Sequence, residues 1–373
     1  MEYDFLVVGA GLSGCVIAER MASLGKTVLL IEQRSHVGGN VYDEDNGSGI
    51  LIHKYGPHIF HTNSKEVFEY LSKFTKWYRY EHRVLSLVNN KYVPIPINRK
   101  TINILYNLNL KTEDQVAAYL EKVKVKMKSV NNAEEAVTSR IGVDLYEKLF
   151  KGYTKKQWGV DATKLDPEVT LRIPVRLNED DRYFSDAYQA LPDKGYTNMI
   201  NNMLANKLIT VMLNTDYKDV INNISYKYFI YTGPIDYFFD YKYGRLRYRS
   251  IKFRIKVYNE EWHQPTSVVN YPNESVMYTR STEFKHFTSP KYNKQSKTVV
   301  QYEYPTGSGE PYYPMITNED NLLYIKYKND ADKLYNTFFV GRLANFKYFN
   351  MDQVVAASLK LSKKLEIILN EKL

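Results

Sequence analysis

The sequence predicts an α/β fold in which a parallel sheet is interrupted by a helical insertion and by an insertion of antiparallel strands. Three observations predict it: a strand–helix–strand unit opens the chain, a strand and a helix close it, and the periodicity between them changes from helical to alternating. The 373 residues are sufficient for two or three domains.

The opening unit carries a glycine-rich first turn. An apolar strand over residues 5–8 is followed by a helix and by a second strand that ends at Glu32, and the turn between strand and helix has the pattern G-x-G-x-x-G at Gly9, Gly11 and Gly14. Glycines there allow a pyrophosphate to approach the backbone, and the helix N-terminus offers it free N–H groups. A carboxylate about 20 residues further on reaches an adenosine ribose. We therefore predict dinucleotide binding.

The residues after Glu32 indicate which dinucleotide is bound. Arg34, Gly38, Gly39 and Asn40 follow the acid, where a nicotinamide dehydrogenase would normally continue into its next helix. An acid, an arginine and a glycine pair resemble the extended fingerprint of FAD-binding proteins of the glutathione-reductase type, in which the pair lets the chain pass a flat cofactor. The resemblance implies FAD.

Further elements show that this Rossmann-like FAD-binding domain is discontinuous. Residues 228–231 and 338–340 predict two more strands, and Asn350 is a plausible N-cap for the last helix. We expect the domain to comprise residues 1–75, 193–243 and 333–373.

Two insertions account for the remaining residues. Helix starts are predicted at Thr112, Asn132 and Asp144, and a helix end is predicted at Gly152. The segment 152–159, which has a glycine at each end, is predicted to be a polar loop suited to a mobile lid. Residues 98–192 are therefore expected to form a helical domain. Alternating aromatic and β-branched residues predict an antiparallel sheet domain from residues 76–97 and 244–332.

Composition excludes several classes of protein. Hydrophobic residues make up 44% and charged residues 25%, as in packed globular chains. The acidic start and the lack of an 18-residue apolar stretch predict neither a secretory leader nor stable membrane insertion. Cys15, the single cysteine, is expected to pack in the first helix, which excludes an internal disulfide framework and favours a cytoplasmic location.

The net charge of +9 could indicate nucleic acid, but the cations are scattered, so no nucleic-acid partner is expected. The densest basic run, from Lys122 to Lys128, is interpreted as the solvated face of a helix. His58 and His61 lack a third ligand at convincing spacing, so no metal site is predicted. Tyrosine is abundant, with 34 residues, and composition alone does not explain it.

Further motifs follow in a fixed order along nearly the whole chain. They are Tyr55-Gly-Pro-His58-Ile-Phe60-His61, the segment 151–159, Arg172-Ile-Pro-Val-Arg176, Arg182-Tyr183-Phe184, Tyr231-Thr-Gly-Pro-Ile-Asp236, Tyr278-Thr-Arg280, Glu310-Pro-Tyr312-Tyr313-Pro314 and Gly341-Arg342. In combination they resemble the bacterial UDP-galactopyranose mutases.

The resemblance implies an isomerase that interconverts UDP-galactopyranose and UDP-galactofuranose, in which reduced FAD acts as a nucleophile on the anomeric carbon without net redox. Arg172 and Arg280 match the family's diphosphate arginines, and His58 and His61 match a segment beside the flavin. The implied substrate-binding residues are Phe150, Tyr153, Thr154, Trp158, Tyr183, Asn270, Tyr313 and Tyr348. The implied FAD contacts are Gly9, Gly11, Leu12, Ser13, Gly14, Glu32, Gln33, Arg34, Gly39, Asn40, His58, Ile59, Gly233, Gly341, Arg342, Asn350 and Met351.

Two departures from the family pattern leave the exact sugar open. Asn350 stands where the family usually has Asp, and His82 stands where it often has Asn. A UDP-N-acetylgalactosamine mutase and a dTDP-deoxysugar mutase therefore remain alternatives. An FAD oxidoreductase of the amine-oxidase or desaturase kind and a basic binding module are the more distant ones. A homodimer is a further hypothesis.

Overall fold

The computed structural model describes residues 2–289 and 294–371. Residues 1, 290–293 and 372–373, which the predicted domain ranges include, lie outside the described residues. The strands are β1 (Glu2–Val8), β2 (Val28–Ile31), β3 (Asp43–Asp45), β4 (Leu51–His53), β5 (Phe60–Thr62), β6 (Trp77–Arg79), β7 (Val84–Val88), β8 (Lys91–Ile95), β9 (Tyr188–Pro192), β10 (Ile209–Met212), β11 (Ser225–Tyr231), β12 (Tyr248–Tyr258), β13 (Val268–Asn270), β14 (Arg280–Glu283), β15 (Thr298–Thr306), β16 (Tyr313–Pro314) and β17 (Thr337–Phe339). The α-helices are α1 (Leu12–Ser23), α2 (Lys65–Leu71), α3 (Arg99–Tyr106), α4 (Glu113–Val123), α5 (Ala133–Ile141), α6 (Val143–Tyr146), α7 (Gly152–Trp158), α8 (Glu168–Leu171), α9 (Tyr196–Met203), α10 (Tyr217–Val220), α11 (Ile235–Phe238), α12 (Asn318–Ala331) and α13 (Met351–Asn370).

Five strands form a parallel sheet with the order β10-β2-β1-β11-β17. Its strands come from the start, middle and end of the chain, and every neighbouring pair is parallel. Strand β2 is buried along its whole length, as expected for a strand with other elements on both faces. Helices α1 and α13 pack together beside the sheet. This arrangement confirms the predicted discontinuous Rossmann-like domain.

A second sheet has the order β16-β12-β15-β14-β13-β7-β8 and is antiparallel except where β13 pairs with β7. It confirms the predicted antiparallel insertion. The pairing of β14 with β15 sets Arg280 directly opposite Glu303, and the pairing of β13 with β14 sets Asn270 opposite Arg280. The register of this sheet therefore determines which polar side chains lie next to one another.

The helical insertion is present, with Thr112 and Asn132 as N-caps of α4 and α5. The predicted stop at Gly152 was wrong. Helix α6 continues through a π-helical turn, Glu147–Lys151, into α7, which ends at Trp158 with Gly159 as its C-cap. Gly152 instead allows a close contact, because a methyl group there would overlap the carbonyl oxygen of Pro272. The segment interpreted as a polar loop is consequently a helix.

The basic run is exposed at Lys122, Lys126 and Lys128, as predicted, but of its lysines only Lys122 lies in a helix. Helix α4 ends at Val123, so Lys124, Lys126 and Lys128 lie beyond it. The backbone N–H of Val125 donates to the carbonyl of Thr138 at 3.0 Å, which draws the chain out of the helix.

The predicted domain boundaries remain a proposal. A small sheet with the order β5-β9-β6 joins strands from all three predicted domains, and α12 contributes Tyr327 to a cluster with Ile235 and Phe346 beside the parallel sheet. Within the described ranges, no helix has the length and apolar character needed to cross a membrane.

Candidate functional site

A cavity of about 650 Å³ opens at the carboxyl ends of β1, β2 and β11, where ligands bind in open parallel sheets. Most residues predicted to contact FAD line it: Gly9, Gly11, Leu12, Ser13, Glu32, Gln33, Arg34, Gly39, Asn40, His58, Gly233, Gly341, Arg342 and Met351. Three others do not. Gly14 packs under the carbonyl of Gly9, Ile59 is buried in the core, and Asn350 is the N-cap residue of α13.

The residues around this cavity fit a dinucleotide such as FAD. Gly11 is the N-cap residue of α1, and it has no side chain that could accept hydrogen bonds from the helix. The first N–H groups of α1 therefore remain available to a phosphate. A methyl group on Gly9 would overlap the hydroxyl of Thr232, and one on Gly39 would lie 2.8 Å from the Cα of Gly11. The narrow approach therefore requires glycine on both of its sides.

The acid and arginine of the fingerprint are held in place by the protein. The Glu32 carboxylate accepts hydrogen bonds from the N–H groups of Ala10 (2.8 Å) and Arg34 (2.9 Å). The Arg34 guanidinium donates to Asn40 Oδ1 at 3.0 Å and to the Glu310 carboxylate at 2.5 Å. Glu310 also lines the cavity, so this ion pair links the segment that contains it to the fingerprint. Glu310 was not predicted as a site residue, although it begins the motif Glu310-Pro-Tyr312-Tyr313-Pro314.

A cluster of arginine and tyrosine side chains adjoins the cavity through Arg342. The Arg172 guanidinium lies 4.4 Å from the centre of the Tyr348 ring, and Tyr348 stacks on Tyr313 with 5.2 Å between ring centres. Arg342 lies 5.3 Å and 5.5 Å from the same two rings. Trp158, which is 6% exposed, lies 6.2 Å from Tyr348. The structure thus brings these predicted substrate residues together.

The electrostatics of this cluster favour an anion. Burial raises the pKa of the Tyr348 hydroxyl, but the combined lowering by Arg172 and Arg342 is larger, so the net shift of this pKa is downward. For Arg172, burial lowers the pKa, whereas Tyr348 and Tyr183 raise it, and the net shift is upward. Arginine forks surrounded by hydroxyl donors match the oxygens of a diphosphate.

Arg280 occupies the other side of the site. Its guanidinium donates to the Tyr153 hydroxyl at 2.6 Å and lies 3.5 Å from the Glu303 carboxylate. Burial raises the pKa of Glu303, and Arg280 opposes that shift. Sequence reasoning missed Glu303. Strand alternation could have found it, because Gln301 and Glu303 are polar residues two apart on the buried face of β15.

The histidines lie in two environments. His61 stacks on Phe184 with 3.6 Å between ring centres, and its Nδ1 lies 3.0 Å from the Asp186 carboxylate. His58 lines the cavity, its Nδ1 lies 2.8 Å from the Gly56 carbonyl, and burial lowers its pKa to about 3. His58 is therefore a neutral imidazole at physiological pH.

His82 and Tyr183 complete this side of the site. Burial and the neighbouring Arg280 lower the pKa of His82 to about 3, and the Tyr183 ring meets His82 edge-on at 5.7 Å. The residue that departs from the family pattern thus lies beside a predicted diphosphate ligand.

The positions of three predicted substrate residues give weaker support for a role in binding. Phe150 and Thr154 are buried, 8% and 4% exposed respectively, and Phe150 belongs to the main hydrophobic core. Asn270 lies opposite Arg280 in the strand ladder. Their roles as ligands remain predictions. Across the described ranges, no group of three or more His, Cys, Asp or Glu residues is arranged to hold a metal ion.

The chain is similar to known proteins over nearly its whole length. The family model "UDP-galactopyranose mutase" matches residues 148–348, and the model "NAD(P)-binding Rossmann-like domain" matches residues 7–74. The chain is 37% identical to a probable UDP-galactopyranose mutase from Klebsiella pneumoniae, covering 96% of this chain and 93% of that one. It is 34% identical to a dTDP-fucopyranose mutase from Escherichia coli, covering 96% and 97%.

A solved structure shares the fold. The crystal structure of a reduced UDP-galactopyranose mutase superposes with a TM-score of 0.78 at 17% identity, covering 98% of this chain and 96% of that one. The cavity and these matches together indicate a flavin cofactor and an isomerase that acts on a nucleotide sugar. The chain belongs to the UDP-galactopyranose mutase family.

Proposed function

We propose that the protein interconverts UDP-galactopyranose and UDP-galactofuranose. The main support for this proposal is that three guanidinium groups and several tyrosine hydroxyls lie next to a cavity that fits FAD. The guanidinium groups are those of Arg172, Arg280 and Arg342. Reduced FAD bound there would supply the nucleophile for the anomeric carbon, and the reaction would have no net redox.

The chain's own contribution is directed at the diphosphate. Negative charge develops on the diphosphate as the anomeric bond breaks, so fixed cations and hydroxyl donors stabilise the transition state more than the substrate. Arg172 and Arg280 are proposed as the principal donors, assisted by Tyr183, Tyr313 and Tyr348. The side chains are already held by ring contacts and by Glu303, so little reorganisation is needed.

Helix α7 is proposed as the lid over the sugar and the base. Tyr153 already contacts Arg280, and Trp158 lies near Tyr348, so the helix can exclude water from the reacting sugar. Phe150, Thr154 and Asn270 are proposed to line the nucleotide end. His58 is proposed to contact the flavin, and His61, oriented by Asp186, the sugar.

The direct test is to give the purified FAD enzyme dithionite and UDP-galactopyranose and to identify the product by chromatography and NMR. We expect UDP-galactofuranose, with no reductant consumed for each molecule converted. Product that appears only with stoichiometric loss of reductant would favour an FAD oxidoreductase and contradict the proposal.

A second candidate is a dTDP-fucopyranose mutase. It is favoured by the relative of that name, and the departures from the family pattern at His82 and Asn350 leave the sugar open. Parallel measurements with UDP-galactose, UDP-N-acetylgalactosamine and dTDP-fucose would separate the alternatives. We expect the highest kcat/KM with UDP-galactose, and a higher value with either other sugar would replace it as the substrate. A cytoplasmic location and a homodimer also remain proposals, to be tested by cell fractionation and by sedimentation.

A further inference from the structure

The ammonium group of Lys156, on helix α7, is surrounded by backbone carbonyl oxygens. Nζ donates to the carbonyl oxygens of four residues at 2.6, 2.9, 2.8 and 3.0 Å, namely Tyr271, Asn273, Val276 and Tyr278. An ammonium group has only three N–H donors, so four acceptors share them and the positive charge. Converging carbonyl oxygens are an arrangement that holds a desolvated monovalent cation.

The four carbonyls belong to a single segment, residues 271–278, which connects β13 to β14. At its base the Tyr271 N–H donates to the carbonyl of Thr279 at 2.8 Å, and Arg280 follows immediately. Oxygen dipoles that point at one place repel one another unless a cation lies between them. The Lys156 ammonium therefore fixes the conformation of the turn that leads into Arg280.

The helix that carries Lys156 contacts the same turn and the same arginine at other points. The Tyr153 hydroxyl accepts a hydrogen bond from Arg280 at 2.6 Å. Gly152 packs directly against the carbonyl of Pro272. The ammonium adds a further contact between α7 and the turn, in which charge supplies the attraction.

The neighbouring Lys155 provides a contrast. It forms an ion pair with Glu274 of the same turn at 3.1 Å, but each of the two side chains is 50% exposed. Exposed pairs of this kind contribute little, because water screens them and both side chains lose freedom. Lys155 and Lys156 are therefore adjacent lysines that differ in whether the ammonium is enclosed by carbonyls.

We propose that Lys156 is a positioning residue for the isomerase. Its ammonium holds α7 closed against residues 271–278, so that Tyr153 and Trp158 face the nucleotide sugar and Arg280 is aimed at the diphosphate. This inference rests on the proposed function. Without the ammonium, the four carbonyl oxygens have no cation between them. The turn then relaxes, and α7 separates from it.

Steady-state kinetics of Lys156→Ala and Lys155→Ala test this, with the reduced holoenzyme and the FAD content measured in parallel. For Lys156→Ala we expect the KM for UDP-galactose to rise at least about tenfold, with a smaller loss in kcat and normal FAD content. Lys155→Ala should stay within about threefold of the parent. Added ammonium chloride should lower the KM of Lys156→Ala, because the ammonium ion can occupy the vacated position, and should leave the parent unchanged at matched ionic strength.

Amide hydrogen exchange of residues 271–278 gives a readout that does not need turnover. Exchange should accelerate in Lys156→Ala, slow again with ammonium chloride, and stay at the parent rate in Lys155→Ala. This result would support the inference even if the substrate were not UDP-galactose. An unchanged KM at full FAD content, or unchanged exchange, would overturn it.

Lys156→Arg is the second variant, for the case that Lys156→Ala does not fold. A planar guanidinium cannot replace a compact ammonium among four carbonyls. We expect faster exchange at residues 271–278 and no rescue by ammonium, whereas exchange at the parent rate would overturn the inference.

Discussion

At the scale of single residues, the surroundings of Arg172 leave its positive charge available to a ligand. Its guanidinium lies over the Tyr348 ring and makes no ion pair with a carboxylate among those found in the described residues. Arg280, in contrast, is balanced by the buried Glu303. The two arginines therefore differ: Arg172 depends on tyrosines and on the ligand, whereas Arg280 is held by an acid of the protein.

This difference leads to a prediction for Arg172→Ala. Turnover should fall at least about a hundredfold, a loss of roughly 3 kcal/mol, as for the removal of one oriented donor from a water-excluded site. Arg172→Lys should recover little, because an ammonium cannot form the two parallel hydrogen bonds of a guanidinium. FAD content should stay normal, because Arg172 does not line the cofactor cavity.

Arg79→Ala is the matched control, since its side chain is 86% exposed and, among the described residues, its ion pair is with Glu81. It should turn over like the parent. Steady-state kinetics with the flavin absorbance measured in parallel would check both variants. If Arg172→Ala kept a turnover within about threefold of the parent at full FAD content, its role at the diphosphate would be refuted.

At the scale of elements, the turn from β1 to α1 depends on a close approach that only glycine allows. Gly9 has φ +96°, and a methyl group there would overlap the Thr232 hydroxyl at the end of β11. Gly9→Ala should therefore force the two strand ends apart and abolish FAD binding. FAD released on denaturation, measured by fluorescence, is the readout.

Gly25→Ala separates this effect from backbone strain alone. Gly25 also has a positive φ, +76°, just beyond the end of α1, but no heavy atom of the described residues, apart from its two chain neighbours, lies within 4 Å of the added methyl group. We expect a loss of about 1–2 kcal/mol in the free energy of unfolding and full FAD content. Equal FAD content in both variants would show that the contact with Thr232 is not essential.

At the scale of the whole molecule, buried histidines link stability to pH, and His53 and His82 are two of them. Burial lowers the pKa of His53 and of His82 to about 3, and Arg280 contributes at His82. His53 Nδ1 accepts a hydrogen bond from the His58 N–H at 3.0 Å, which requires the unprotonated ring. The native state therefore keeps both rings neutral, whereas the unfolded chain protonates them near pH 6.5.

The sign of the effect follows from proton linkage. Because the unfolded state binds more protons below pH 6.5, stability is fully present above that pH and is lost as the pH falls toward 3. We expect each histidine to lower the free energy of unfolding by about 2 kcal/mol between pH 7 and pH 5. Urea denaturation at the two pH values would measure this, and His82→Asn should remove its share. A pH dependence that His82→Asn leaves unchanged would assign the effect to other groups.

The sequence by itself determined the parallel sheet and most of the cofactor cavity. Gly9, Gly11 and Glu32 lie within one strand–helix–strand unit, where local spacing fixes the geometry. The arginines and tyrosines were found through resemblance to a family, and the structure brings Arg172, Tyr313 and Tyr348 together from distant parts of the chain.

Only the tertiary structure decided the partners of those residues. Glu303 faces Arg280 because of the register between β14 and β15, and Lys156 meets its four carbonyls because α7 packs on a turn more than a hundred residues away. Gly152 was misread for the same reason: glycine often ends helices, but here the contact with Pro272 requires one inside a helix. Contacts between distant segments depend on packing and register, which local sequence patterns do not encode.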